Sequence, residues 1–256
     1  MIFNSLTYLL LLILVIILYW TLPYKARLNL IFISSLIFYG FWKISFIPIL
    51  LISVIVDWLV AQKMPKCNKK QKLSLLIISL TTNLGLLFFF KYLIFFADNV
   101  VGFANYLGLE IDTFALKIIL PLGISFYTFQ TISYTVDVYR GVIKPENDFI
   151  LFACYVTFFP QLVAGPILRA KEVMPQFSNR PLFSFDFILI GLRFILFGLF
   201  LKVVLADNLS SLVDIGFAMN IPLMSAIDVW TLGFLFGFQI YFDFSAYSFI
   251  AIGSAR

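Results

Sequence analysis

Six polar side chains interrupt the last long apolar run of the chain. They are Gln239, Tyr241, Asp243, Ser245, Tyr247 and Ser248. An ionisable group in hydrocarbon costs on the order of 3 kcal/mol, so such a residue normally faces the protein interior or a watery cavity. Amide, carboxyl and hydroxyl groups can bind and orient polar reactants. We therefore expect Asp243 to line or support a functional cavity, with a buried structural network as the alternative.

A second pair of charged residues, Lys202 and Asp207, lies at the end of an earlier apolar run. In the functional interpretation, the lysine is a cation beside a cavity that holds an anionic reactant. In the structural alternative, the stem of the lysine lies along apolar surface while its amine reaches polar surroundings, and the aspartate belongs to a loop.

Two other charged positions favour structural explanations. Asp57 comes near the end of an apolar run and close to Lys63, which predicts a carboxylate at the membrane interface. Asp137 and Arg140 are three residues apart, the spacing of an ion pair on one helical face. The glycines at 233 and 237 have the small-xxx-small spacing that usually indicates close packing of membrane helices.

Composition restricts the class of protein. Of the 256 residues, 62% are hydrophobic and 12% are charged, whereas ordinary globular chains are about 45–50% apolar and about 25% charged. Histidine is absent and there are two cysteines, so we expect no metal site and no His general base within these residues. The net charge of +5 is concentrated in loops, where it directs membrane topology, and we expect no nucleic-acid partner.

The apolar runs predict an all-α, polytopic integral membrane protein. A spanning helix needs roughly 20 apolar residues, and about seven runs are predicted to span. They are residues 3–20, 28–42, 46–61, 73–97, 118–139, 185–206 and 229–253, with Pro121 and Gly123 interrupting the fifth. The loop 63–72 carries five lysines and no acid, which places it in the cytoplasm by the positive-inside rule.

The region 149–180 does not fit a simple span. Basic residues flank its apolar part, 149–165, on both sides: Arg140, Lys144, Arg169, Lys171 and Arg180. A simple span would put one of these basic groups outside the cytoplasm. We therefore expect a re-entrant hairpin, whose irregular backbone is tolerated at membrane depth only where protein or water satisfies it.

Several segments, taken in this order, resemble the membrane-bound O-acyltransferase family, and most closely its bacterial alginate O-acetyltransferase branch. The segments are LPLGISFYTFQ (120–130) with DVYRG (137–141), FFPQLVAGPI (158–167) with Arg169, KVVLADNL (202–209), and YFDFS (241–245) continuing to Gly253. The stretches FNSL (3–6) and YGFW (39–42) also fit, so the resemblance covers essentially the whole chain.

The resemblance implies a multi-helix fold around a tunnel through a bacterial plasma membrane. An acyl thioester donor such as acetyl-CoA would meet a hydroxyl of an exported polysaccharide such as alginate. No bound cofactor is implied, and an extracytoplasmic acetyltransferase is the expected partner protein. The residues expected to shape the tunnel are Pro160, Gln161, Gly165, Pro166, Arg169, Gln239, Tyr241, Asp243 and Ser245.

The chain departs from the family pattern in two respects. The family uses a buried His C-terminal to the last of these segments, as a base or to orient the acceptor hydroxyl, and this chain has no His. We therefore expect residues 1–256 to be a single integral membrane domain, a truncated N-terminal part that is inactive alone. In addition, Ala246 and Phe249 stand where the family usually has Gly and Asp, and the second change removes a charge from the expected cavity wall.

Two other classes of protein remain open. A transporter would also need polar residues in broken helices, but it should contain a repeat relating its two halves, and none is evident. A non-catalytic membrane scaffold would explain the missing His without truncation.

Overall fold

The computed structural model describes residues 5–109, 119–163, 165–166, 168–179, 183–219 and 224–256, which are helical with connecting turns and contain no strand. The α-helices are α1 (Leu6–Thr21), α2 (Tyr24–Lys43), α3 (Ile47–Lys63), α4 (Lys69–Leu87), α5 (Leu93–Tyr106), α6 (Ile124–Arg140), α7 (Phe149–Thr157), α8 (Phe159–Leu162), α9 (Ala170–Ser178), α10 (Phe185–Phe200), α11 (Asp207–Ala218) and α12 (Ala226–Ala255). The all-α prediction is therefore confirmed.

Four continuous helical stretches among the described residues are long and apolar enough to cross a membrane. They are Ala26–Lys66, Lys69–Tyr106, Phe185–Ala218 and Ala226–Ala255, and Leu6–Thr21 is a shorter apolar helix. The first stretch contains two of the predicted spans, 28–42 and 46–61. Lys43 lies between them, and its backbone is extended (φ −163°) just before the 3-10 turn Ile44–Phe46 that precedes α3. The chain is thus a multi-pass membrane protein.

Local sequence signals explain where several helices begin. Asn68 and Gln71 form a capping box at the start of α4, in which the Gln71 amide donates to Asn68 Oδ1 at 3.0 Å. Ser225 and Asp228 form the same device at the start of α12, where the Ser225 amide donates to Asp228 Oδ2 at 3.0 Å. Each box satisfies backbone N–H groups that have no partner within the helix.

Glycines define both ends of α6. Gly123 has φ 68° and precedes the helix, and Gly141 has φ 75° and ends it. Residues other than glycine rarely adopt such left-handed backbone angles. The interruption predicted at Pro121 and Gly123 is therefore confirmed, and the predicted span beginning at 118 becomes helical only at Ile124; residues 110–118 lie outside the described part.

The chain divides into two compact units. The first consists of Met1–Ser34, Phe158–Pro166 and Arg180–Arg256, and the second of Ser35–Thr157 and Ile167–Asn179. The expectation that residues 1–256 form one integral domain stays a prediction.

In the first unit, α10 packs closely along α12 through glycines. A Cβ atom built on Gly198 would lie 2.7 Å from the Ala246 carbonyl oxygen, and one built on Gly253 would lie 2.5 Å from the Gly191 carbonyl oxygen. These backbones approach more closely than any other residue type would allow. At the end of α12, the Ser254 hydroxyl lies 2.7 Å from the hydroxyl of Tyr8 on α1.

The close packing predicted for Gly233 and Gly237 is wrong. Within the described part of the chain, no heavy atom lies within 4 Å of a Cβ atom built on either glycine. Together with Phe234, Phe238 and Tyr241, they line an open groove of about 340 Å³ on α12. The spacing alone did not distinguish the packed face of this helix from its open face.

In the second unit, α3, α4 and α6 pack against one another, and α7 packs on α3, α6 and α9. Its core includes Tyr134 on α6 and Phe152 on α7, whose ring centroids lie 4.5 Å apart.

The predicted ion pair of Asp137 with Arg140 is wrong. Within the described ranges these two side chains form no such pair, since Asp137 is buried on α6 and Arg140 is exposed at its last turn.

Candidate functional site

An ionic cluster in the first unit joins α12 to the segment between α10 and α11. Lys202 Nζ lies 2.6 Å from Asp243 Oδ1 and 2.9 Å from Asp207 Oδ1. The Lys202 side chain is 15% exposed, whereas Asp243 and Asp207 are 39% and 46% exposed. The ammonium group also lies 5.5 Å from the ring centre of Tyr247, within the range of a cation–π contact.

Local backbone geometry makes this cluster possible. Residues Leu201–Ala206 form a π-helical segment, in which the backbone hydrogen bonds join residues five apart. The wider turn brings together Lys202 and Asp207, which are five residues apart and would lie on different faces of a regular α-helix. Such segments occur frequently at functional sites.

The interpretation of Lys202 as a cation beside a cavity stays a prediction, and the structure adds that its ammonium faces two carboxylates. The more exposed groups of the cluster are these two carboxylates, which can accept hydrogen bonds from hydroxyl groups.

Two of the predicted tunnel residues share one face of α12. Gln239 and Asp243 are four residues apart in this continuous helix, so their directions differ by only about 40°. The Gln239 side-chain oxygen, Oε1, is buried and has no hydrogen-bond partner among the residues that the structure describes. A buried amide oxygen of this kind could accept a hydrogen bond from a ligand, since it otherwise loses the hydrogen bonds it makes in water.

The two other predicted residues of this helix point away from that face. Tyr241 and Ser245 are also four apart, but Ser245 lies about 200° from Asp243 at about 100° per residue. Ser245 therefore does not share a face with Asp243. Tyr241 is 64% exposed and lines the groove on α12, and Ser245 is half-buried.

The loop after α7 brings together four more predicted residues, also in the first unit. Pro160 and Gln161 are buried on the four-residue helix α8, which packs against α12. Gln161 Nε2 donates to the Pro166 carbonyl oxygen at 2.7 Å. A Cβ atom on Gly165 would lie 2.6 Å from the Gln161 Cα atom, so this turn requires glycine.

The backbone of 149–166 is irregular, as the re-entrant prediction requires. Helix α7 has nine residues and extends about 14 Å at 1.5 Å per residue, less than the hydrocarbon thickness of about 30 Å. Phe158 leaves the helical conformation (φ −48°, ψ 109°) before α8 begins. The re-entrant path itself stays a prediction.

Arg169, the remaining predicted residue, belongs to the second unit. It is exposed and precedes α9 as its N-cap, with an extended backbone (ψ 141°). The hydroxyl of Tyr155 donates to the carbonyl oxygen of the preceding residue, Leu168, at 3.1 Å. This contact fixes the backbone next to Arg169.

Sequence reasoning missed the ion pair of Lys202 with Asp243, although it named both residues. It also did not include Tyr247 or Asp207 among the tunnel residues. One signal was available for Tyr247, because it follows Asp243 by four residues in the same apolar run, the spacing of neighbours on one helical face.

Phe249 packs against α10. Its ring lies 5.8 Å from that of Phe194 and 5.0 Å from that of Phe197, both on α10. The position therefore contributes to packing between α10 and α12, and its place in a cavity wall stays a prediction.

Comparison with known proteins agrees with the resemblance. Residues 144–255 match the model of MBOAT, the membrane-bound O-acyltransferase family. This range contains the ionic cluster and all nine predicted tunnel residues.

Relatives match a larger part of the chain. A "Peptidoglycan O-acetyltransferase" of Helicobacter pylori is 37% identical over 248 residues, which cover 86% of this chain and 46% of that protein. Two proteins named "Probable alginate O-acetylase AlgI" are each 34% identical over 238 residues and 92% of this chain. The one from Pseudomonas syringae pv. tomato is covered to 45% and the one from Pseudomonas putida to 48%.

The chain thus spans about half the length of the curated relatives that it matches. The family model and the relatives agree on the same class of protein, and three of the sequence segments lie within residues 144–255: 158–167 with Arg169, 202–209 and 241–245. Residues 144–255 thus match the membrane-bound O-acyltransferase family, and most of the chain is similar to about half the length of acetyltransferase relatives.

Proposed function

We propose that this chain supplies helices of a membrane O-acyltransferase that transfers an acetyl group to hydroxyls of an exported polysaccharide. The match of residues 144–255 to the family model carries this proposal. It is supported by the names of two relatives, a peptidoglycan O-acetyltransferase and a probable alginate O-acetylase. The acceptor is thus a polysaccharide, and alginate is its proposed identity.

The proposed donor is a cytoplasmic acyl thioester such as acetyl-CoA, and the proposed location is the bacterial plasma membrane. A thioester made in the cytoplasm and an exported acceptor lie on opposite sides of that membrane, so the acyl group needs a passage. An extracytoplasmic acetyltransferase is the proposed partner that completes delivery. We assign no catalytic base to this chain, because its 256 residues contain no His.

In this proposal, the site residues contribute by binding and positioning. Asp243 and Asp207 have partly exposed carboxylates beside Lys202, which suit hydrogen bonds from acceptor hydroxyls. Gln161 and Gly165 maintain the irregular turn next to α12. Arg169 is kept as a proposed tunnel residue from the resemblance, and its exposed side chain is available for a polar ligand.

The direct experiment is deletion of the gene in the source bacterium, followed by measurement of ester-linked acetate on the exported polysaccharide. Loss of acetate that returns with the wild-type gene supports the proposal, whereas unchanged acetate contradicts it. Membranes incubated with radiolabelled acetyl-CoA test the donor separately, because label should reach polysaccharide only when the gene is present.

Two matched variants connect the site to this activity. Asp243→Asn removes a charge from the cluster, whereas Asp186→Asn makes the same change at an exposed residue in the first turn of α10. We expect acetylation to fall at least tenfold in the first variant and to stay at the wild-type level in the second. If the protein is a non-catalytic scaffold, acetylation requires its presence but not the Asp243 carboxylate. Equal acetylation by the two variants would therefore favour the scaffold.

A further inference from the structure

A second polar cluster lies inside the second unit, and none of its members is among the residues assigned to acyl transfer. The Asp57 side chain on α3 is fully buried, at 0% exposure, and so are Ser79 and Asn83 on α4. Ser79 Oγ lies 2.5 Å from Asp57 Oδ1, and Asn83 Nδ2 donates to Asp57 Oδ2 at 2.8 Å. The expectation that Asp57 is an interfacial carboxylate near Lys63 is therefore wrong.

The cluster extends to a third helix. Asn83 Oδ1 accepts hydrogen bonds from Ser53 on α3 at 2.5 Å and from Thr131 on α6 at 3.2 Å. Thr131 and Thr135 of α6 also approach the carboxyl group of Asp57. Hydroxyl and amide groups from three helices thus surround this one carboxyl group.

No positive charge balances Asp57 in the part of the chain that the structure describes. The ion pairs found there are those of Lys202, in the other unit. Every polar side chain that α4 and α6 direct at Asp57 is neutral at ordinary pH, including the titratable Tyr134. Helix α7, which also packs on α3, contains no charged residue.

We propose that Asp57 is held as a neutral carboxylic acid, a proton-binding site that fastens α3, α4 and α6 together. Burial of a carboxyl group that has no cation beside it disfavours its ionised form. In an ionised Asp57, Ser79 Oγ would donate to Oδ1 across the 2.5 Å contact; in the neutral acid, the proton resides on Oδ1 and is donated to Ser79 Oγ instead. The Asn83 amide nitrogen lies 3.0 Å from Oδ1 and 2.8 Å from Oδ2, and it donates to Oδ2.

A bound cation is the main alternative to a proton. The geometry favours the proton, because the Asn83 amide nitrogen and the Ser79 oxygen already occupy the positions next to both carboxyl oxygens. No group of three or more His, Cys, Asp or Glu side chains that could hold a metal ion exists among the residues that the structure describes. An ionised Asp57 stabilised by hydrogen bonds alone is the other alternative.

Infrared spectroscopy of the whole protein in detergent distinguishes these states. We expect the wild-type spectrum minus that of Asp57→Asn to contain the C=O stretch of a carboxylic acid at neutral pH. Asparagine should substitute well, because its amide donates to Ser79 and its carbonyl accepts from Asn83. Asp57→Leu offers neither group, so we expect a lower melting temperature for this variant and almost no shift for Asp57→Asn.

The bands of an ionised carboxylate in the same difference spectrum would overturn the proposal. So would a melting temperature that rises with added sodium or potassium in the wild type but not in Asp57→Asn. If Asp57→Asn does not fold, the wild type can be treated with dicyclohexylcarbodiimide, which reacts with protonated carboxyl groups in apolar surroundings. Mass spectrometry should find the adduct on Asp57 and not on exposed Asp98; an unmodified Asp57 at every pH at which the protein stays folded would contradict the proposal.

Discussion

Lys202 Nζ lies 2.6 Å from Asp243 Oδ1, so a π-helical segment and α12 are joined by an ion pair within the first unit. The same ammonium binds Asp207 at 2.9 Å. The partners are 41 positions apart in the chain, and the surrounding helices are apolar. A charged group kept in such surroundings normally has a partner or a function, and here Asp243 has a partner and an accessible side as well.

Removing the lysine should cost more than removing one of its partners. Lys202→Met leaves two neighbouring carboxylates without a cation, and we expect a loss of about 1–2 kcal/mol, reduced from the value for a buried pair because both acids are partly exposed. Asp243→Asn should cost less, because Lys202 keeps Asp207. Denaturant unfolding of the purified variants measures both, and the double variant should recover part of the loss. Strictly additive effects would contradict this coupling.

The close approach of α10 and α12 predicts opposite effects for two kinds of glycine. Gly198→Ala inserts a methyl group 2.7 Å from the Ala246 carbonyl oxygen, and we expect a loss of about 1–3 kcal/mol from overpacking. Gly237→Ala on α12 meets open space and should be neutral or stabilise the helix by up to about 1 kcal/mol. The melting temperatures of the two variants in one detergent test this contrast, which equal shifts would refute.

The end of α6 provides a purely conformational test. Gly141 has φ 75° and no heavy atom within 4 Å of an added Cβ, so Gly141→Ala should cost about 1–2 kcal/mol from backbone strain alone. Gly141→Asn should cost less, because asparagine tolerates this region better. Gly102→Ala, at an open position inside α5, is the control and should not destabilise. If unfolding curves show that Gly141→Ala is more stable than Gly141→Asn, backbone strain does not explain the loss.

The tunnel hypothesis predicts which positions of α12 meet water. In a variant without the natural cysteines Cys67 and Cys154, we expect Ser245→Cys to react with a charged, membrane-impermeant thiol reagent. Ala251→Cys, at a position that is 4% exposed, should stay unreactive. If Ser245→Cys is equally inert in intact membranes, its face of α12 meets lipid or protein, and Ser245 should be removed from the proposed tunnel.

Sequence reasoning worked where the signal is local. Apolar runs of spanning length determine a helical membrane protein because unsatisfied backbone groups are too costly in lipid. Pro121 and Gly123 marked the start of α6 because they act on the backbone of their own segment. The polar residues in the run around Asp243 were also recognisable at once, since few apolar neighbours can explain them.

Tertiary structure decided which faces of these helices meet. A helix that is apolar all round carries no signal for its packed face, so Gly191, Gly198 and Gly253 form the close contacts while Gly233 and Gly237 remain open. Asp57 is buried because α4 and α6 supply its neutral partners, although its position in the sequence indicated an interface. The pairing of Lys202 with Asp243 likewise depends on a π-helical turn and on the approach of a distant helix, and neither is encoded in the spacing of nearby residues.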